Sequence, residues 1–194
     1  MSILALTSDT LIGTPATGNL EYNGQFFGTD SNASRAQIQR ITQGTAVAST
    51  SGTSIDFTGI PAWVKRITVM FNGTSISAGA DILIQLGTGS TTFTTSGYNS
   101  TYCLCTGGGN SISTSTAGFV VRVALAAGLN SGNMIINNVS GNIWVAGSNV
   151  KRETTGVGFG AGEVTLGAVL TAVRITTTST DTFDAGSINI LYEG

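Results

Sequence analysis

The sequence predicts an all-β protein, a jelly-roll-like antiparallel β-sandwich with a short N-terminal arm that contains a β-hairpin. Composition is the first reason. The 194 residues include 30 Thr, 20 Ser and 27 Gly, and only 9% are charged, against about 25% in a typical soluble domain. Small hydroxyl-bearing side chains suit pleated sheets joined by tight turns. The second reason is that short runs of alternating apolar and polar residues recur from about residue 53 onward, with turn residues between them.

The alternation is clearest in KRITVMFN, residues 65–72, where every second residue from Lys65 takes one face and every second residue from Arg66 takes the other. Two further runs, ILIQL and FVVRVAL, continue this period, with predicted inward residues Ile82, Ile84, Leu86, Phe119, Val121, Val123 and Leu125. MIINNV, NIWVAG, EVTLGAVL, AVRITTT and SINILYE read as additional strands. Together they predict roughly eight to ten strands in two sheets.

The first 50 residues differ in texture and predict an arm, residues 1–50, ahead of a sandwich module at 51–194. In GNLEYNGQFFG, Asn23 and Gly24 fit the two-residue turn of a hairpin. A hairpin alone cannot bury a core. The apolar residues concentrated beside the turn are therefore candidates for attachment to a partner: Leu20, Tyr22, Phe26 and Phe27.

Two segments follow the hairpin. SNASRAQIQRITQGT, residues 31–45, fits either a short helix or a strand, because Ile38 and Ile41 are three positions apart. AVASTSGTS, residues 46–54, consists of small residues and is interpreted as a linker.

Charge and hydropathy exclude several classes of partner. A net charge of −2 and a pI near 4.9 lack the basic surface that nucleic acid binding demands. MSILALTSDTLIG has no basic lead, and its apolar run is too short for a signal peptide. The most apolar later stretch, GFVVRVALAAG, is interrupted by Arg122. We therefore expect neither nucleic acid binding nor membrane insertion.

Catalytic groups are scarce. The chain has no histidine, which removes Ser-His-Asp and Cys-His arrangements and every histidine-ligated metal site. Asp181 and Asp184 form the closest late pair of carboxylates, and a solvated turn explains them better than glycoside cleavage does. A strand would put Cys103 and Cys105 on one face with their backbones about 7 Å apart, which is awkward for a disulfide and favours reduced, partly buried thiols. We expect no enzyme, no metal and no cofactor.

The run TTGVGFGAGE contains four strictly alternating glycines, a spacing that does not fit the dinucleotide-binding pattern. As a strand, the run would have one bare face suited to the close approach of a backbone from a neighbouring subunit. A flexible loop fits the sequence equally well. The candidate subunit-contact residues are Gly156, Gly158, Gly160 and Gly162.

Both tryptophans are interpreted as structural. Pro61 and Trp63 lie in FTGIPAWVKRITVMFNG, where they brace the turn into a strand, and Trp144 lies within NIWVAG. Trp side chains usually bury much of their surface, so we expect both to be substantially buried.

Two long strings, TGIPAWVKRITVMFNG and DTFDAGSINILYE, carry a resemblance to a known family, with looser support from GFVVRVALA and SGNIWVAG. About residues 52–194 are similar to the C-terminal module of tailed-bacteriophage tail fibres and related virion appendage proteins. TGNLEYNGQFFGTDSNASRAQI is similar to segments just upstream of such modules. Fibres of this family are often far longer, with a shaft for which these residues leave no room.

The resemblance implies a homotrimeric β-sandwich in the virion, assembled in the host cytoplasm. The arm would attach it to other virion proteins, and the module would recognise a host cell-surface glycan or protein. A capsid cement or decoration protein, which holds the particle together, is the alternative from a different class. The same design of arm and sandwich serves both roles, because a fold does not fix a function.

Overall fold

The computed structural model describes residues 11, 13–14, 16–23, 25–122, 125–126 and 128–194, without the side chain of Arg122. These residues form strands and no helix, so the predicted all-β class is confirmed. In the same ranges, no helix is long and apolar enough to span a bilayer. The strands are β1 Leu20–Tyr22, β2 Phe26–Thr29, β3 Arg35–Gln37, β4 Ile41–Gln43, β5 Val47–Ala48, β6 Ser54–Thr58, β7 Arg66–Ile76, β8 Ile82–Gly87, β9 Asn99–Thr106, β10 Gly109–Ser115, β11 Phe119–Arg122, β12 Asn130–Ser140, β13 Ile143–Arg152, β14 Gly156–Thr165, β15 Ala172–Thr177 and β16 Phe183–Glu193.

The chain forms two compact units, Met1–Arg40 and Ile41–Gly194. In the first unit, β1, β2 and β3 form an antiparallel sheet in that order. The β1–β2 hairpin is the one expected around Asn23, but its register pairs Tyr22 with Phe26 and so leaves three residues in the connection rather than two. Gly24 lies outside the described residues.

The second unit is a two-sheet sandwich. Its larger sheet runs β10-β9-β14-β13-β12-β7-β16-β4, with β5 also pairing with β16. The smaller sheet runs β11-β8-β15-β6. Every pairing in the two sheets is antiparallel. Neither sheet therefore contains a pair of parallel strands, as expected for an all-β sandwich.

The larger of two clusters of buried apolar side chains lies between the facing sides of the two sheets. On β7 the predicted alternation is confirmed, since Ile67, Val69 and Phe71 are buried while Arg66 and Asn72 are exposed. The smaller sheet supplies buried side chains from every strand, among them Ile55, Ile84, Phe119 and Ile175. At roughly 1.5–3 kcal/mol for each fully buried large apolar side chain, this layer is the main source of stability.

Tyr98 shows how polar groups are accommodated in this core. Its ring packs edge-on against Phe119 with centroids 5.0 Å apart. The Leu86 amide N–H donates a 2.7 Å hydrogen bond to the Tyr98 hydroxyl oxygen. Burial disfavours the charged phenolate more than this bond favours it, and it raises the pKa of Tyr98 to about 12. The phenol therefore stays neutral inside the sandwich.

The connection between the hairpin and the sandwich differs from the expectation. Residues 31–45, open between helix and strand in the sequence, contain β3 and β4. The predicted linker contains β5, which pairs Val47 with Ile188 and Ala48 with Ser187. Ser49 is fully buried and donates a 2.7 Å hydrogen bond to the carbonyl oxygen of Ala185. The compact second unit thus begins at Ile41, ahead of residue 51, where the sequence predicts the start of the sandwich module.

The end of the run FVVRVAL also differs. Phe119 and Val121 are buried as predicted, but β11 ends at Arg122 and Leu125 is 38% exposed. The prediction that Leu125 points inward is therefore wrong, because the alternation stops where the strand stops. Val123 lies outside the described residues.

Candidate interaction surfaces

The arm sheet has an apolar face and a polar face. Register places Leu20, Tyr22 and Phe26 on one side, with Ile38 following β3 on the same side. Leu20, Phe26 and Ile38 are 62%, 40% and 48% exposed, and the Tyr22 and Phe26 rings lie 5.0 Å apart. We call these four residues the arm face. Three of the four predicted attachment residues are thus brought together.

The fourth predicted residue, Phe27, lies on the opposite face of the arm sheet, beside Glu21 and Arg35. Arg35 donates from Nε to Glu21 Oε2 at 2.7 Å and from Nη2 to Oε1 at 3.2 Å. Such a two-bond contact fixes both side chains, and Glu21 is only 9% exposed. The ion pair ties β1 to β3 across the sheet, and it leaves the arm face as the apolar side.

The glycine run is a strand, β14, and its glycine side faces the interior. Gly158 pairs with Leu104 and Gly160 with Tyr102 of β9. A Cβ on Gly158 would overlap the Tyr102 hydroxyl, and one on Gly162 would come within 3.0 Å of Phe119 Cδ1. The bare face is therefore filled by side chains of the same chain. The expected subunit contact at Gly156, Gly158, Gly160 and Gly162 is corrected accordingly, because these glycines present no free face to a second subunit.

The opposite side of β14 carries the large residues. Phe159 is 51% exposed and Val157 is 37% exposed. Register continues this surface onto β9 through Cys103, which pairs with Phe159, and onto β10 through Ile112, which pairs with Cys103. We call the outward side of β10, β9, β14, β13 and β12 the outer face.

A groove lies at the far end of the outer face. Val139, Ile143 and Val145 line it on one side, with Asn99 and Glu163 beside them, and its volume is about 380 Å³. Val139 and Ile143 are 59% and 41% exposed. We call the line of side chains formed by Ile112, Cys103 and Phe159 the Ile112–Phe159 row. Between this row and the groove, the strands carry the small residues Gly147 and Ala161, which pair with each other.

The two cysteines lie on the outer face as free, half-buried thiols, as their spacing predicted. Partial burial, and then the neighbouring Cys105 thiol, raise the pKa of Cys103. A thiol with a raised pKa is a poor nucleophile at neutral pH. Cys103 is therefore suited to packing rather than to thiol chemistry.

The tryptophans are packed into the sandwich. Trp144 is 3% exposed, as predicted, and its Nε1 has no hydrogen-bond partner. Trp63 is half-buried, with its ring 5.9 Å from that of Tyr192. Both belong to the core or its margin, and neither forms an exposed platform on which a sugar ring could stack.

Asp181 and Asp184 each accept a hydrogen bond that joins two segments of the sandwich. Asp181 Oδ2 accepts a 2.9 Å hydrogen bond from the Ala80 amide, and Asp184 accepts a hydrogen bond from the Ser75 hydroxyl. Fully buried Phe183 lies between them in the chain. Within the described ranges, no three Cys, Asp or Glu side chains are grouped as a metal site would require.

No family model matches the chain, and searches of curated proteins and of solved structures likewise give no significant match.

Proposed function

We propose that this chain is a structural protein of a bacteriophage virion, a homotrimeric component of a tail fibre or appendage that displays its sandwich for recognition of the host surface. The observation that carries the proposal is the arm face, which exposes Leu20, Phe26 and Ile38 on a three-stranded sheet. So small a sheet gains little stability by itself. Covering its apolar face with a partner would offset the cost of ordering it.

The composition of the sandwich supports the same proposal. Few charges and many hydroxyl groups give surfaces suited to permanent packing within a particle, since exposed ion pairs contribute little and weaken in salt. The resemblance of residues 52–194 to fibre modules supplies the class of particle. The proposed role is non-enzymatic and uses no cofactor.

The alternative role is that of a capsid cement or decoration protein. It needs the same two parts that the structure describes, a small arm sheet and a larger sandwich unit. A cement protein also needs an arm that binds the particle, so the arm face serves this role equally well.

The position of the protein on purified particles separates the two roles. Gold-labelled antibody against the sandwich should mark the tail end in small numbers if the protein recognises the host. Even labelling over the capsid would replace that role with the cement role. Particles that contain no copies of the chain would overturn both.

The arm face has its own test, in which particles lacking the protein are incubated with purified full-length chain. Leu20→Asp and Phe26→Asp should each reduce rebinding at least tenfold, because a carboxylate at the contact must lose its hydration. Gln37→Asp, on the polar side of the same sheet, is the matched control and should rebind as the unaltered chain does. Equal rebinding by all three variants would show that another surface attaches the protein.

A further inference from the structure

We propose that copies of this chain associate with one another through the outer face, with the Ile112–Phe159 row of one copy seated against the groove at Val139 and Ile143 of the next. The trimeric count rests on the proposed function, whereas the choice of surface rests on the observations that follow. The partner is a second copy of this chain.

Protrusion and groove are present on the same face. Ile112 and Phe159 are 71% and 51% exposed. They lie on β10 and β14, on either side of Cys103 on β9. The groove begins about four residues further along β14, roughly 13 Å away at the rise of a β-strand. One copy therefore supplies both halves of a contact. Contacts between unlike parts of identical subunits close into rings when the rotation permits.

Charge on this face favours a copy of itself over an acidic or basic partner. The five strands of the outer face contain three charged residues, Lys151, Arg152 and Glu163. Lys151 and Glu163 both point outward, and six register positions separate them along β13, which is roughly 20 Å. Opposite charges at the two ends of a nearly uncharged surface allow copies to approach without repulsion.

The projected area of the outer face is somewhat below that of a typical stable contact. Five strands about 4.8 Å apart, paired over eight residues between β14 and β9, give roughly 600 Å² measured along the sheet at about 3.3 Å per residue. Stable interfaces bury about 800 Å² on each partner, and the relief of side chains such as Phe159 adds to the projected area.

The cysteines provide a direct readout. The chain has only two, and both lie on this face next to Phe159 and Val157. Ellman's reagent therefore reports the accessibility of the outer face alone. In the assembled protein the face should be covered and the thiols should react slowly.

The experiment combines light scattering with thiol labelling on the full chain and three variants. Phe159→Lys and Ile112→Lys place a charge in the proposed contact, and Val169→Lys is the matched control, because Val169 is also 51% exposed but lies in the β14–β15 connection. We expect trimers for the unaltered chain and for Val169→Lys. The two outer-face variants should be monomers whose thiols react at least tenfold faster.

The remaining outcomes are equally decisive. Ile112 lies on the edge strand β10 and tolerates substitution more readily, so Ile112→Lys decides the matter if Phe159→Lys melts early. Variants that assemble like the unaltered chain, with thiols still protected, overturn the inference and leave the trimer standing. If the unaltered chain is a dimer and both variants are monomers, the outer face remains the contact surface, and the trimer in the proposed function is replaced by a dimer. A monomeric unaltered chain overturns the inference and the trimer together.

Discussion

In an ordinary sandwich strand the large apolar residues face the core, whereas in β14 they face solvent and the glycines face the core. The side toward the core carries Gly158 and Gly160, while the side toward solvent carries Val157 and Phe159. The inner volume is filled by side chains from neighbouring strands, chiefly Tyr102. The contrast teaches that residue size alone does not tell which side of a strand is buried. Neighbouring strands decide it.

The largest expected effect is a difference in stability: truncating an inner phenylalanine should lower the free energy of unfolding far more than truncating an outer one. Phe119→Ala removes a fully buried ring packed on Tyr98 and should lower the free energy of unfolding by about 3–5 kcal/mol. Phe159→Ala should lower it by less than about 1 kcal/mol, because that side chain is half in solvent.

Urea unfolding below the concentration at which copies associate measures both variants, since association would itself add stability. An unchanged dependence on urea is needed for the comparison to hold. Similar losses from the two substitutions would contradict the assignment of inner and outer faces.

A smaller effect is expected from two glycines on opposite faces of the same sheet. Gly158→Ala forces a methyl group into the Tyr102 ring and should destabilise the protein by about 1–3 kcal/mol. Gly147→Ala points outward, where the nearest atom is the Gly160 carbonyl oxygen at 4.0 Å, and should change stability by less than about 0.5 kcal/mol. Melting temperatures of the two variants measure the difference. A tolerated methyl group at residue 158 would mean that the glycine side is not filled.

The third effect appears only at alkaline pH and reports on the inner face. Between pH 10 and about 12 the unfolded chain loses the Tyr98 proton while the folded chain keeps it, so stability falls as pH rises. Two pH units correspond to roughly 2–3 kcal/mol. Tyr98→Phe should cost about 1 kcal/mol at pH 7, where the Leu86 amide loses its acceptor.

The same substitution should make the decline between pH 10 and 12 shallower, which chemical denaturation at stepped pH would measure. An equally steep decline without the Tyr98 hydroxyl would show that other groups cause the loss of stability at alkaline pH.

The sequence predicted the fold class because alternation is a local signal. Ile67, Val69 and Phe71 repeat every second residue, and the period alone identifies a half-buried strand. Strands β9 and β10 were missed because NSTYCLCT and GNSISTS are rich in hydroxyl and small residues and lack that contrast. The sequence predicts a linker at Val47 and Ala48 because their pairing with β16 depends on residues about 140 positions away.

The candidate sites were predicted less completely. Leu20, Tyr22 and Phe26 were found because hairpin register is set within a few residues. Ile38 joins them only through pairing of the third strand, and nothing in its neighbours signals that contact. The glycines were recognised as a bare face, but Tyr102 is more than fifty residues away in the chain, and the sequence gives no sign that its side chain fills the gap.

Sedimentation velocity of the full chain, at micromolar concentration in 0.1 M and 1 M salt, tests the central claim that copies of the chain assemble through apolar contacts. We expect a single species of three times the 19.7 kDa chain mass. It should persist in high salt, because apolar contacts, unlike exposed ion pairs, are not screened. A single species of 19.7 kDa under both conditions would contradict the account.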